Sequence, residues 1–317
     1  MTGKSYFTFP SADGENRIHA VKWHNSEKEV RGVILLIHGM EEHMGRYEET
    51  ALYFAGKGFV VAGMDELGHG ETAKESGEFG YFCKRDPAAT LMRDVRRLFK
   101  LIKKEYPDVP FFMIGHSMGS LILRDYIAKN SEGVDGTIFI GTAGEGYLKT
   151  SFGVVITRLL EILGRGHETS RFLSSLIFGA YNKRTEKRTD FDWLSTDESS
   201  VDAYINDPMC GLDFTVNGYR GVSTLSRDIS SAGHLKSLPK MMPMLFISGS
   251  EDPVGAYGKG VRKVAESYRK AGVLDVELVI MEGIRHEVLN DIKRDEARLL
   301  IYDWIRSHSG GENEKIS

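Results

Sequence analysis

Phe111-Phe112-Met113-Ile114 runs without a polar side chain into Gly115-His116-Ser117-Met118-Gly119, and Leu121, Ile122, Tyr126 and Ile127 follow at the spacing of one helix face. A short apolar run after Pro110 suits a buried strand, and the later spacing suits an amphipathic helix. Ser117 is therefore expected on a sharp strand-to-helix turn, with glycines on both sides relieving clashes. There the hydroxyl stands at the carboxyl end of a sheet and at a helix N-terminus, where backbone N–H groups stabilise negative charge.

The same grammar recurs along the chain. Val33–Ile37 and Phe59–Ala62 are continuously apolar, as strands covered on both faces are. Asp86-Pro87 reads as an N-cap and first-turn proline opening a helix, with Leu91, Val95, Leu98 and Ile102 on one stripe. Gly136–Ile140, Met244–Ile247 and Val276–Ile280 read as further strands, and 291–306 as a last helix carrying Leu300 and Trp304. Ser5–Phe9 and Arg17–His24 alternate loosely and suit antiparallel edge strands. This alternation predicts an α/β fold with a doubly wound, mostly parallel sheet. The rhythm breaks over 144–235, where Val154–Leu163 and Phe172–Phe178 look helical and Ser195-Thr196-Asp197-Glu198 reads as a capping box. The expected organisation is a core of 1–143 and 236–317 with a helical cap inserted at 144–235.

Composition narrows the function classes. With 317 residues the chain can bury a large core. A net charge of −4 gives no general attraction to nucleic acid or anionic lipid. Cys83 and Cys210 lack CxxC spacing, which fits a reducing cytosol, and Met1–Pro10 lacks the apolar stretch of a signal peptide. The tail 309–315 reads as frayed. Charge in the insertion is segregated: 8 basic and 5 acidic residues over 144–190, then 6 acidic and no basic residues over 191–215.

A serine hydroxyl attacks only with a base beside it and an acid orienting that base. In a sheet of this kind both follow the serine, each just after a late strand. Asp252 follows Met244–Ile247 and His286 follows Val276–Ile280, so Ser117, Asp252 and His286 stand in the required order. Glu251 and Asp275 compete for the acid. His234 competes for the base, but it reads as a surface residue. Two N–H donors must hold the developing oxyanion. One is expected from Met118, the other from Met40 after the turn at Gly39. No cofactor motif is found: His38, His43, Glu41 and Glu42 lack metal-pair spacing, Gly141–Gly146 is not a dinucleotide fingerprint, and Gly3-Lys4-Ser5 lacks the upstream glycine of a phosphate loop.

His38-Gly39-Met40-Glu41-Glu42-His43-Met44-Gly45-Arg46-Tyr47 resembles the oxyanion segment of the monoacylglycerol lipases and bacterial lysophospholipases of the α/β-hydrolase fold. Asp65-Glu66-Leu67-Gly68-His69-Gly70, the elbow, Asp252–Gly255, Arg285-His286-Glu287 and the segment 190–211 are similar to the same family. Two departures are Glu66-Leu67, where members usually carry a basic residue, and Met44, often small and polar. The resemblance implies an eight-stranded sheet with helices on both faces, a helical cap, no cofactor, and a cytoplasmic serine ester hydrolase acting on a monoacylglycerol or lysophospholipid. Phe172, Leu173, Leu176, Ile177 and Phe178 are then expected to bind the acyl chain, with Gly39 at the oxyanion turn, and the cap is expected to meet lipid surfaces. Two alternatives are a peptidase on the same scaffold, with Glu198, Asp202 and Asp207 holding an amine, and a binding protein that has lost catalysis.

Overall fold

A computed structural model describes residues 2–144 and 147–310; residues 311–315 of the tail expected to fray lie outside them. Eight strands form one sheet: β1 (Thr2–Pro10), β2 (Arg17–Asn25), β3 (Gly32–Ile37), β4 (Phe59–Met64), β5 (Phe111–His116), β6 (Gly136–Ile140), β7 (Met244–Gly249) and β8 (Val276–Met281). Their spatial order is β1-β2-β4-β3-β5-β6-β7-β8. From β4 to β8 every pairing is parallel. β2 is antiparallel to both β1 and β4, so only β1 of the two alternating strands is an edge.

The continuously apolar strands are buried on both sides, and their alternation sorts side chains between two layers. Val33, Leu35 and Ile37 of β3 join one core cluster, while Ile34 and Leu36 join the other. The first layer is covered by α3 (Pro87–Glu105), α4 (Met118–Lys129), α8 (Val216–Ile229) and α10 (Lys259–Lys270). The second is covered by α1 (Glu48–Gly56) and α11 (Arg294–His308). Each fully buried Leu, Ile or Phe in these layers contributes about 1.5–3 kcal/mol. The short α2 (Gly70–Ser76) follows the β4 loop.

Between β6 and β7 the described residues add no strand to the sheet, and the α-helices there are α5 (Tyr147–Ile162), α6 (Arg171–Phe178), α7 (Glu198–Asn206), α8 and α9 (Ala232–Ser237). Two capping expectations need correction. Pro87 does occupy the first turn of α3, but Asp86 adopts φ +45° and its side chain makes no capping bond. The 195–198 box is shifted: Asp197 caps α7 by accepting from Ser199 N, while Ser195 donates to the Asn290 carbonyl. No helix among the described residues is long and apolar enough to cross a membrane.

Candidate active site

The turn from β5 to α4 holds Ser117 at φ +50° and ψ −118°, a strained backbone for a residue with a Cβ. The strain is tolerated because the surroundings fix it. Ser117 N donates to the Ile140 carbonyl at 2.9 Å, tying the turn to the end of β6. Gly119 allows the tight approach: a Cβ there would run into the backbone carbonyls of Ile37 and His38 at the end of β3. Ser117 is half-buried, between cleft and core.

Asp252 lies three residues beyond β7, wholly buried, and its Oδ1 accepts from His286 Nδ1 at 3.0 Å. Ser248 Oγ and Val254 N hydrogen-bond the same carboxylate at 3.2 and 2.9 Å. Burial alone would raise the Asp252 carboxyl, but the His286 imidazole and the Val254 and Gly255 N–H groups hold it below its ordinary value. The His286 ring stands 4.8 Å from the His116 ring and 5.2 Å from Trp193, centroid to centroid. His286 is thereby walled between the elbow and the insertion. Among the described residues Ser117 Oγ has no hydrogen-bond partner, and catalytic hydrogen bonds often tighten only when substrate binds.

The competitors lie elsewhere. Glu251 is exposed. Asp275 precedes β8, at the opposite end of the sheet, and pairs with His308. His234 is not the surface residue expected: it is buried, and its Nε2 bonds Tyr268 Oη at 3.0 Å, because α9 packs down on α4.

Gly39 meets the elbow directly, since a Cβ there would touch Ser117 Cβ at 3.1 Å and Glu42 Oε1 at 2.6 Å. The N–H groups of Met40 and Met118 have no partner among the described residues. Two unengaged donors on turns that meet at the serine are what an oxyanion site requires.

What holds these turns together was not anticipated from the sequence. Glu42 is buried, and its Oε1 accepts from Gly39 N at 2.6 Å and Tyr47 Oη at 2.7 Å, with His116 Nδ1 at 2.9 Å. Its Oε2 accepts from Arg46 Nη1 at 3.0 Å, and Arg46 also forms a two-pronged pair with Glu287. One buried ionic chain thus joins the oxyanion turn, the elbow and the residue after His286. Burial would raise the Glu42 carboxyl, yet His116, Arg46 and His38 hold it well below its ordinary value. The available signal was a pair of acids straight after a buried strand end, and a third acid directly after His286.

The five apolar residues expected to bind the acyl chain do not share a face. At 100° per residue, Leu173 and Ile177 point one way and Phe172 and Leu176 another. Leu173 is buried in the core cluster and Ile177 packs on its rim, whereas Phe172 and Leu176 are 67% and 59% exposed. Phe178 stacks on Trp193, which in turn meets His286. The acidic residues offered for an amine are already engaged: Asp207 with His43, and Asp202 and Glu198 with Arg188. Among the described residues His43 shares a possible metal-donor cluster with Asp207 and Cys210, and the His43–Asp207 bond at 2.9 Å accounts for that proximity. Both cysteines are free and buried.

Comparison with known proteins agrees with this fold. Residues 28–293 match the family described as serine aminopeptidase, S33 (Hydrolase_4). A monoacylglycerol lipase of Mycolicibacterium smegmatis is 27% identical over 96% of this chain and 98% of its own. The phospholipase YtpA of Bacillus subtilis is 23% identical over 83% of this chain and 91% of its own. Among solved structures, a thermostable carboxyl esterase of Bacillus coagulans, in complex with glycerol, superposes with a TM-score of 0.91 at 32% identity, covering 96% of this chain and 99% of that one. A strained serine elbow, an Asp–His pair in the loops after later strands and a family match over most of the length lead to one assignment: the chain is a member of the Hydrolase_4 family, with the α/β-hydrolase fold.

Proposed function

We propose that this chain is a serine carboxylic ester hydrolase that cleaves the acyl ester of a monoacylglycerol or lysophospholipid through an acyl-enzyme. The carrying observation is the Asp252–His286 hydrogen bond at 3.0 Å, with the His286 ring 4.8 Å from that of His116, the residue before Ser117, and two N–H groups on the turns around the serine that have no partner among the described residues. Ser117 Oγ passes its proton to His286 Nε2 and bonds to the ester carbonyl carbon. The carbonyl oxygen becomes an oxyanion held by Met40 N–H and Met118 N–H. Collapse breaks the ester C–O bond, and the alcohol departs with the proton from His286. Water then repeats the sequence on the acyl-enzyme, releasing the fatty acid. Asp252 keeps the Nδ1 proton in place and stabilises the imidazolium. Each oxyanion donor is worth on the order of 10²–10³ in rate.

Residues 144–235 serve as the cap. Its inner residues Leu173, Ile177 and Phe178 border the acyl path. Its outer residues Phe152, Val155 and Leu159 of α5 and Phe172 and Leu176 of α6 meet a lipid surface. That reading is supported by their exposure together with the basic excess of 144–190. The chain works in the cytoplasm, and its partners are the ester and the lipid surface that carries it.

A fluorophosphonate probe tests the nucleophile. The native chain is labelled and hydrolyses p-nitrophenyl butyrate. Ser117→Ala loses the label and on the order of 10⁴-fold or more in kcat, with its melting temperature retained. A variant that keeps more than a few per cent of activity overturns the acyl-enzyme.

A further inference from the structure

His286 lies in the loop after β8, and β8 ends the strand order, so the sheet pairs it with β7 alone. Much of what fastens that loop comes instead from the insertion. Both neighbours of His286 bond to the short 3-10 turn Asp192–Leu194 and its cap Ser195. Arg285 Nη1 donates to the carbonyls of Asp192 at 2.8 Å and Ser195 at 3.2 Å, and Glu287 N donates to the Leu194 carbonyl at 2.7 Å. Arg285 Nη2 reaches Glu186 Oε2 at 2.6 Å. Just past the turn, Ser195 Oγ donates to the Asn290 carbonyl and Thr196 N to Asp291 Oδ2, each at 3.1 Å. Asp291 Oδ2 also accepts from Arg285 N at 3.0 Å. Residues 192–196 thus form a strap bonded on both sides of the catalytic imidazole.

The carbonyls at the end of so short a helix have no partner within it. A guanidinium meets that need, because its planar fork lets one side chain hold two carbonyls and a carboxylate at once. Arg285 is buried, so its donors are spent on the protein rather than on water. What the strap carries is Trp193, whose ring lies 5.2 Å from that of His286, centroid to centroid. Phe178 and Tyr181 back the indole at 5.9 and 4.9 Å. Among the described residues the imidazole makes one hydrogen bond, from Nδ1 to Asp252. A single bond leaves a ring free to tilt, and packing has to fix the tilt. Trp193 does so from the insertion and His116 from the elbow.

We propose that Arg285 is a positioning residue for the catalytic imidazole: it holds the strap 192–196 against the loop after β8 and so keeps Trp193 seated on His286. This role rests on the ester-hydrolase reading, in which His286 carries a proton from Ser117 Oγ to the leaving alcohol. Such a transfer is sensitive to tilt, since a misplacement of about 1 Å can slow a reaction 10²-fold. The insertion is then a working part of the catalytic centre on this side, and not only a cover.

The test measures hydrolysis of p-nitrophenyl butyrate, with kcat expressed per site titrated to completion by a fluorophosphonate, so that unfolded molecules do not count. Arg285→Met should lower kcat about 100-fold and move KM less than about 3-fold. Arg285→Lys should recover about 10-fold of that loss, because an ammonium still donates to the carbonyls but lacks the fork. Trp193→Leu should lower kcat to a similar extent. The double variant Arg285→Met with Trp193→Leu should fall no further than the worse single one, since the two act through one contact. Losses that multiply in the double variant overturn the proposal, as does a loss confined to KM or a kcat per site unmoved in Arg285→Met. If Arg285→Met yields no titratable sites, Arg285→Lys decides: a kcat lowered at unchanged KM supports the role, and a native kcat overturns it. These failures leave the nucleophile reading standing, provided the native chain is labelled and hydrolyses the ester. A native chain that does neither overturns that reading as well.

Discussion

Two glutamates sit in the loops that follow neighbouring strands, and they meet opposite fates. Glu42, after β3, is buried and receives hydrogen bonds from a backbone amide, a tyrosine and an arginine, with His116 beside it; its carboxyl is held well below the ordinary value. Glu66, after β4, is equally buried, yet neither carboxyl oxygen has a partner among the described residues. Burial and the nearby Asp94 and Asp65 push it well above the ordinary value. The loops touch, since Glu66 N donates to His38 Nε2 at 3.0 Å and His38 adjoins Gly39. A buried acid organises a site only when donors surround it; without them burial disfavours its charged form.

The sharpest way to break the contrast is Glu42→Ala. It leaves Arg46 facing Glu287 alone and strips Gly39 N, Tyr47 and His116 of their acceptor. Removing one member of a buried ionic group costs about 3–5 kcal/mol, and here the oxyanion turn loses its anchor as well. The expected result is a large fall in melting temperature and a drop in kcat of at least ~100-fold at temperatures where the variant stays folded, by analogy with losing one oxyanion donor. Glu42→Gln should recover part of both, because it still accepts from Gly39 N and Tyr47. If kcat is unmoved in folded Glu42→Ala, Glu42 is structural only and does not position the turn.

A second comparison runs between the inner and outer sides of α6. Phe172→Asp with Leu176→Asp places two charges on the exposed side. Turnover of monoacylglycerol presented in anionic vesicles should fall about 10-fold, since each apolar side chain withdrawn from a lipid surface forfeits ~1 kcal/mol or more. Turnover of soluble p-nitrophenyl butyrate should fall much less. Equal falls on the two would place these residues in the catalytic path rather than at a lipid surface.

The parts of this molecule that follow repeating rules were legible in the sequence. Unbroken apolar runs marked β3, β4 and β5 because strands covered on both faces admit no polar side chain. The order Ser117, Asp252, His286 was readable because each residue follows a strand. What escaped depends on tertiary proximity. Glu42, Arg46 and Glu287 look like surface charges in a linear chain, and only the meeting of three loops turns them into one ionic chain. His234 read as exposed because nothing local announces that Tyr268 waits 34 residues on. The five residues of 172–178 expected to bind the acyl chain cannot all do so from one side, because five apolar residues in seven wrap too far around a helix to share a face. Glu66 was visible as a departure from the family pattern; that it has no partner was not.

Glu66 gives the smallest expected effect and the cleanest sign. Its folded pKa lies above its ordinary value of 4.5, so as pH rises past that value the unfolded chain sheds the proton while the folded chain keeps it. Unfolding is favoured progressively until the folded pKa is passed. Asp94, pushed by burial up to about 6, acts in the same direction over a lower range, though Ser11 Oγ and Ala12 N partly stabilise its charge. Glu66→Met keeps the length of the side chain, keeps the backbone donor to His38 and removes the carboxyl. It should therefore raise stability at pH 8 by about 1–3 kcal/mol, the cost of an unpaired buried polar group. At pH 5, where folded and unfolded chains differ less in protons bound, the gain should shrink. Melting temperatures of the native chain and the variant at the two pH values decide it. A variant no more stable at pH 8 would mean that Glu66 finds a partner in solution, and the contrast with Glu42 would fail. A gain equal at both pH values would mean that the methionine packs better but that the carboxyl never titrated against the fold.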